Sequence, residues 1–402
     1  VYLLKKLFFS KVAWRYSVLF KILRKSKFVM SRLCDVGLYI AISKMIYMVI
    51  LKKYTKYPND LIKLENEFCR MLGSGFCFST ASGTTAYEAI LVGIGAEPND
   101  GIFVPECTFH SIQMTTLLNG LKPVYLKRDE SLNISLPDDP PKHAKFFLLT
   151  HLFGYSANLQ AVISFCQKHN LKLIEDCSHA HGATFKDKPL GTFGAASFFS
   201  LQGDKSVAAG EGGIAVFKNR NYFEIGLNYC HLGRDLSTVK MASTTFYKGL
   251  GKKFRMAPLG APLARHDLKK LTHRNNKIRK KLYKLEFILN DIEEIDFLFK
   301  QITESGGYHI GIPLLVKNSE IRAKLLIYRD VFSILPFIDY SAYQRFSSPK
   351  EFTLSQTAHS KGQLDFKSEE IEMCAKNNVL INLSFLNTPF WPLRLTNILR
   401  KL

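Results

Sequence analysis

An apolar run, KLIED, ends in Asp176, and 29 residues further on Lys205 stands in a turn that leads into the glycine-rich AAGEGG. A lysine amine can hold an aldehyde as an imine, and a carboxylate against an aromatic nitrogen keeps that nitrogen protonated so that the ring accepts electrons. Pyridoxal phosphate chemistry makes both demands, and one stretch of this sequence offers both. Lys205 would bind the cofactor, be displaced by the amino substrate, and then carry the proton between Cα and the cofactor C4′ as base and acid. Read alone it is one lysine of many; its place after a strand, before AAGEGG and downstream of Asp176 sets it apart. An aspartate at a strand end can also start a turn or cap a helix. The lysine at this spacing favours the pyridine nitrogen as its partner.

A phosphate needs neutralising and positioning. STASGTTAYEAIL supplies a strand, a small-residue turn and a helix start, so the N–H groups of Gly83 and Thr84, the hydroxyls of Ser82 or Thr84 and the positive end of the helix would hold it. Ser–Gly–Thr alone is a weak signal, because hydroxyl residues cap many helices for structural reasons. Ser200, five residues before Lys205, offers a second hydroxyl, although serine is common at strand ends. Phe109 in VPECTFHS could stack on the pyridine ring, and without the other motifs it would read as core. His179, three residues after Asp176, could meet the cofactor's phenolate oxygen or its phosphate, while His181 reads as structural.

Positioning these groups requires strands whose ends meet. Seven short apolar runs alternate with helical patterns, which predicts a mostly parallel sheet covered on both faces. The expected strands are 76–79, 102–105, 123–126, 145–150, 171–175, 196–201 and 213–217, with helices over 85–94, 111–118 and 158–169. The last two strands are joined by QGDKSVAAGEG, too short for a crossover helix, so the final strand should run antiparallel to its neighbour. From about residue 259 a long basic helix takes over, followed by weak strands such as IGIPLLV. A domain change is placed near residue 255, giving a basic segment over 1–55, a large domain over 56–255 and a smaller α+β domain over 256–402.

The chain has 402 residues, 47% of them hydrophobic, enough for well-filled cores. Its eight cysteines include no C-x-x-C pair, so neither a metal site nor a disulfide framework is expected, and a reducing cytoplasm is the simple reading. Net charge is +21, with thirteen Lys or Arg against only Asp35 and Asp60 in the first 60 residues. Basic residues recur there among Leu, Phe, Ile and Trp14. That suits a helix lying on an anionic membrane surface, or one packed on its own protein or a second copy. The apolar run over 37–51 is too short to span a bilayer, and no secretory signal is expected. The basic block over 265–284 reads as the solvated face of a long helix. No nucleic-acid module accompanies the charge.

Taken together, the segments ENEFCRMLGSGF, TASGTTA, FVPECTFHS, THLFGYSANLQAV, LIEDCSHAHGATFKDKPLGTFGAASFFSLQGDK, AGEGGIAVF and GLGKKFRMAPLGAPLARHDLKKL resemble the DegT-type family of pyridoxal-phosphate-dependent sugar aminotransferases. The resemblance spans roughly residues 61–271. It implies the aspartate-aminotransferase fold (fold type I), with Lys205 carrying the cofactor, Ser200 beside it, and Asp176 on the pyridine nitrogen. His179 falls at a position often held by Gln or His, and Gly83, Thr84 and Phe109 match the phosphate turn and the ring-stacking aromatic. It further implies amino transfer from glutamate or glutamine to a keto group on a nucleotide-linked sugar, in a homodimer with shared active sites. Where many members place Asn to reach the partner's phosphate, this chain has Lys253, a point charge without an amide's geometry. The first 50 residues and the tail after about residue 317 depart from the family pattern. Dehydration on the same scaffold is one alternative, but relatives with that activity generally carry His where this chain has Lys205. A non-catalytic, membrane-associated relative is another.

Overall fold

In the computed structural model, which describes residues 35–50, 59–73, 75–106, 108–128, 133–156, 158–234, 248–290, 292–298, 307–308, 311–333 and 378–402, seven strands form one sheet. They are β1 (Phe76–Thr80), β2 (Gly101–Pro105), β3 (Lys122–Leu126), β4 (Ala144–Thr150), β5 (Lys172–Asp176), β8 (Ala196–Ser200) and β9 (Gly213–Phe217). A short ribbon, β6 (Thr184–Phe185) with β7 (Lys188–Pro189), lies between β5 and β8 in the chain. The spatial order is β1-β9-β8-β5-β4-β2-β3. All pairings among β8, β5, β4, β2 and β3 are parallel, and β9 runs antiparallel to both of its neighbours. This is the expected α/β architecture, including the lone antiparallel strand that the short connection forces.

The central strands are buried on both faces, so they are apolar throughout instead of alternating with polar residues. In β4, Phe147 and Leu149 enter one core while Phe146 and Leu148 enter the other. Strand β9 divides its side chains in the same way, Ile214 and Val216 against Ala215 and Phe217. One core is closed by α2 (Asn59–Leu72), which contributes Leu61, Leu64, Phe68 and Leu72 at helical spacing, and by α5 (Leu159–Lys168). The other is closed mainly by α3 (Gly83–Gly93), with α4 (His110–Leu118) and α6 (Arg220–Cys230) alongside.

The basic block forms part of α7 (Ala261–Leu289), and Lys269, Lys270, Lys277, Lys280 and Lys284 are indeed exposed. Its first half buries Ala261, Ala264 and Leu271 in the first core. Its second half buries Ile278, Leu282, Leu285 and Leu289 in a separate one. That separate core belongs to a four-stranded antiparallel sheet, ordered β10-β11-β13-β12, from β10 (Ile295–Phe297), β11 (Gly311–Val316), β12 (Phe332–Ser333) and β13 (Asn378–Asn382). Helices α8 (Ser319–Leu326), α9 (Leu383–Leu386) and α10 (Trp391–Leu399) complete it.

Of the basic N-terminal segment, residues 1–34 and 51–58 lie outside the described residues. The part between forms α1 (Val36–Ile50), capped by Asp35, whose Oδ1 accepts from Gly37 N at 3.0 Å and Leu38 N at 3.3 Å. Asp35 also pairs with His266 and Lys270 of α7, which seats α1 there. Only Ala41 and Met48 of α1 are buried, and Val36, Tyr39, Ile40, Ile46, Tyr47 and Ile50 are exposed. Among the described residues no helix is long and apolar enough to cross a membrane.

Candidate active site

A cavity of about 470 Å³ opens where the carboxyl ends of the parallel strands meet. Open α/β sheets bind ligands at this edge because connections diverge there. Ser82, Gly83, Thr84, Phe109, Asp176, His179, Ser200 and Lys205 all line it, so eight of the nine residues singled out from the sequence converge. Lys253 does not. Its side chain is exposed, outside this lining, and its backbone bridges to His231. A larger apolar groove of about 610 Å³ lies between α1 and the segment after Lys205, but its lining includes neither Lys205 nor Asp176.

Asp176 is the last residue of β5 and is 3% exposed. Its Oδ1 accepts from Ser178 N at 3.0 Å. Burial pushes its carboxyl above the ordinary range, against the opposing pull of Ser178 and of the Lys205 charge. A buried carboxylate in this state gains from a cation set against it, as a protonated pyridine nitrogen would be.

Directly behind it, Glu175 points to the other face. One of its oxygens accepts from Phe193 N and Gly194 N at 2.7 Å each, and the other from Gly191 N at 2.8 Å and faces His151 Nε2 at 3.0 Å. Burial alone would raise the Glu175 carboxyl, yet the His151 contact, the His151 charge and the Gly194 and Gly191 N–H groups hold it below its usual value. The His151 backbone N–H in turn donates to the Asp176 carbonyl at 3.0 Å. Neither Glu175 nor His151 was singled out from the sequence, although Glu175 adjoins Asp176. Thr150, which ends β4 opposite Asp176 and meets Thr108 at 2.8 Å, also lines the cavity. So do Ser178, Gln202, Asp204 and Glu211.

The phosphate turn is built from close approaches. A Cβ on Gly83 would sit 3.0 Å from Ser200 Cβ, and one on Gly213 would sit 2.3 Å from Ser82 O, so only glycine lets β8 and β9 close on the turn. Ser82 caps α3 through a capping box, its Oγ accepting from Thr85 N at 3.1 Å while Thr85 Oγ1 accepts from Ser82 N at 2.9 Å. The Ser82 Oγ accepts from the helix and keeps its own proton to donate, and it lines the cavity beside Thr84 and Ser200. Gly83 and Thr84 supply the first N–H groups of the helix, which have no intrahelical acceptor.

Lys205 lies in a loop that leaves β8 and returns to it. Lys205 N donates to Gln202 O at 3.0 Å, and Ala209 N to Leu201 O at 2.7 Å. Buried Val207 anchors the loop, Ala208 N donates to Asp267 Oδ2 of α7 at 3.2 Å, and Ser206 Oγ donates to Tyr308 O at 2.8 Å. The Lys205 side chain is 9% exposed, with Asp204 Oδ2 3.5 Å from Nζ. His179 is half-buried with its Nδ1 shielded from solvent, its ring 6.2 Å from that of Phe153; desolvation, then the charges of Lys205 and His181, hold it well below its usual range and hence neutral. His181 is structural as expected, packed against Phe199 and Phe68. Phe109, partly exposed at the mouth, leads into α4.

A helix terminus with the hydroxyls of Ser82, Thr84 and Ser200 for a phosphate, a buried carboxylate and a lysine amine around one cavity fit pyridoxal phosphate, and fold and cavity define an enzyme of that cofactor class. Residues 45–334 match the DegT/DnrJ/EryC1/StrS aminotransferase family, and the chain belongs to it. It is a pyridoxal-phosphate-dependent aminotransferase. Over 271 residues it is 24% identical to GDP-perosamine synthase of Escherichia coli O157:H7, covering 66% of this chain and 72% of that enzyme. Matches to three further relatives span only 41% to 48% of their lengths. Among solved structures, an aminotransferase from Psychrobacter cryohalolentis superposes with a TM-score of 0.73 at 18% identity, covering 90% of this chain and 96% of that one. The E. coli GDP-4-keto-6-deoxy-D-mannose-3-dehydratase with bound hydrated PLP superposes at 0.72 and 20% identity, covering 91% and 97%. At these identities the superpositions speak to the fold alone.

Proposed function

We propose that the chain transfers an amino group from glutamate or glutamine to the keto group of a nucleotide-linked sugar, in amino-sugar or surface-polysaccharide synthesis. The observation that carries this reading is the convergence of Lys205, Asp176 and the Gly83–Thr84–Ser200 cradle on one cavity. When bound, the cofactor supplies an electron sink for the carbon that loses or gains the proton. Asp176 keeps the pyridine nitrogen protonated, and Lys205 Nζ takes the proton from the substrate carbon and returns it one position away. Gly83, Thr84 and Ser200 hold the phosphate, Phe109 covers the ring, and neutral His179 offers a hydrogen bond without competing for the proton. The charge of +21 suits a doubly negative nucleotide sugar, and the GDP-perosamine synthase named above points the same way.

The purified enzyme given pyridoxal phosphate and glutamate is expected to show a glutamate-dependent change in its visible spectrum. It should then form 2-oxoglutarate and an amino sugar from a panel of nucleotide-linked keto sugars. A deoxy sugar without nitrogen would replace this reading with dehydration, which the retained Lys205 argues against. No spectral change with any amino donor would favour a non-catalytic relative.

The same reading has a homodimer in which Lys253 reaches the partner's phosphate, consistent with its exposure away from its own cavity. It places the protein in the cytoplasm, touching the membrane surface through residues 1–55, where α1 exposes Tyr39, Ile40 and Ile46. The domain limits of 56–255 and 256–402 are part of it too, supported by α7 passing its apolar stripe from one core to the other. Sedimentation with and without anionic vesicles reads both associations. A species at the monomer mass of 45.8 kDa would remove the dimer, and failure to pellet with vesicles at low salt would remove the membrane contact.

A further inference from the structure

Two cysteines outside the lining of the cavity lie with their side chains against each other. Cys69 is near the end of α2 and Cys77 is the second residue of β1, and their sulfurs are 2.8 Å apart. A bonded pair sits at about 2.05 Å, so less than ~1 Å of further approach separates the two thiols from a disulfide. Cys77 is buried, whereas Cys69 is only partly so and can be reached from solvent. The seam they share is already tied, because Cys77 Sγ is 2.9 Å from the Glu65 carbonyl and Glu65 Oε1 accepts from Ser79 N at 2.8 Å and Ser79 Oγ at 2.7 Å. Helix α2 and strand β1 are thus held in the register that brings the sulfurs together, and a further approach of under ~1 Å joins them.

We infer that Cys69 and Cys77 are a redox pair that small-molecule disulfides convert to an intramolecular disulfide, fastening α2 to the strand that leads into the Ser82–Thr84 turn. Cys69, as thiolate, attacks one sulfur of the oxidant, and a mixed disulfide forms as the first small thiolate leaves. Cys77 gives up its proton and attacks the Cys69 sulfur, expelling the second small thiolate. Two protein thiols are oxidised by two electrons, one small disulfide is reduced to two thiols, and the atoms balance. The division of roles follows the surroundings. The hydrogen bond from Cys77 lowers the Cys69 thiol against the opposing effect of its own burial, which makes it the attacking group. The Cys77 thiol is raised by that same bond and by burial, so it does not attack first, and its place 2.8 Å from the Cys69 sulfur is what lets it resolve the mixed disulfide. The other described cysteines, Cys166, Cys177 and Cys230, are buried with thiols raised by burial, and carry no comparable reactivity.

The full-length holoenzyme should be incubated with oxidised glutathione, quenched with an alkylating agent, digested with trypsin and analysed by mass spectrometry. Cleavage after Arg70 separates the two cysteines, so the expected product links peptide 64–70 to the peptide beginning at Met71, with fragmentation placing the bond on Cys77 and not on Cys107. Protein mass should fall by two hydrogens, two titratable thiols should be lost, and dithiothreitol should restore both. Cys69→Ser should abolish the link and Cys107→Ser should leave it intact. Recovery of peptide 64–70 alkylated or carrying only glutathione, or a link at any other cysteine, would overturn the inference.

Discussion

Lys205→Ala protein is expected to fold normally and to lose amino transfer by on the order of 10⁴-fold, because one change removes both the covalent attachment of the cofactor and the base that moves the proton. Folding should survive because the loop is anchored by buried Val207, by Ser206 on the Tyr308 carbonyl and by Ala208 on Asp267, and none of these contacts uses the Lys205 side chain. Lys205→Arg should be equally inactive, since a guanidinium keeps the charge but is no nucleophile at neutral pH. Borohydride reduction should fix the cofactor to the Lys205 peptide in the wild type and to no peptide in either variant. Turnover by Lys205→Ala within about tenfold of wild type would mean that another group carries the proton.

Glu175 and Asp176 should respond to loss of charge in opposite directions, although they are consecutive. Glu175→Gln is expected to destabilise the protein by about 3–5 kcal/mol, the cost of breaking a buried, fully hydrogen-bonded pair from one side. Whichever way the amide turns, its NH₂ faces a backbone N–H that now meets a carboxylate oxygen. The carboxyl of Glu175 is held below its ordinary value of 4.5, so the stability it contributes is fully present above that pH and is lost as pH falls through the folded value. In urea denaturation, the gap between wild type and Glu175→Gln should therefore be flat at neutral pH and shrink in acid. Asp176 is displaced upward by burial, so in the cofactor-free protein its ionised form opposes folding once pH has risen past the folded value. Cofactor-free Asp176→Asn should consequently melt higher than wild type at neutral pH, while its amino transfer falls on the order of 10²-fold or more for want of charge on the pyridine nitrogen. Equal destabilisation by both substitutions would contradict the environments assigned to them.

Much of the site was legible in the chain because its signals are local. A strand that ends in Asp176, a lysine beyond the next strand, and a small-residue turn before a helix each depend on a few neighbouring residues. The seven strands were legible for the same reason, and the twelve residues between β8 and β9 are too few for any crossover, so the antiparallel strand follows from chain length. Lys253 shows the limit. Its motif could be read, but its place relative to the cavity depends on how residues 248–256 lie across the surface, which no local pattern encodes.

By itself, then, the sequence determined the chemistry, the strands and the family, since residue type, period and connection length are properties of the chain taken in order. Tertiary structure alone decided which residues support that chemistry. His151 meets Glu175, Thr108 meets Thr150, Gly213 makes room beside Ser82, and Asp267 of a distant helix steadies the lysine loop. Cys69 and Cys77, unremarkable at a spacing of eight residues, touch only because α2 folds back along β1. Such pairings are set by strand order, register and packing between elements remote in the chain, and a one-dimensional pattern carries no record of distance across a sheet.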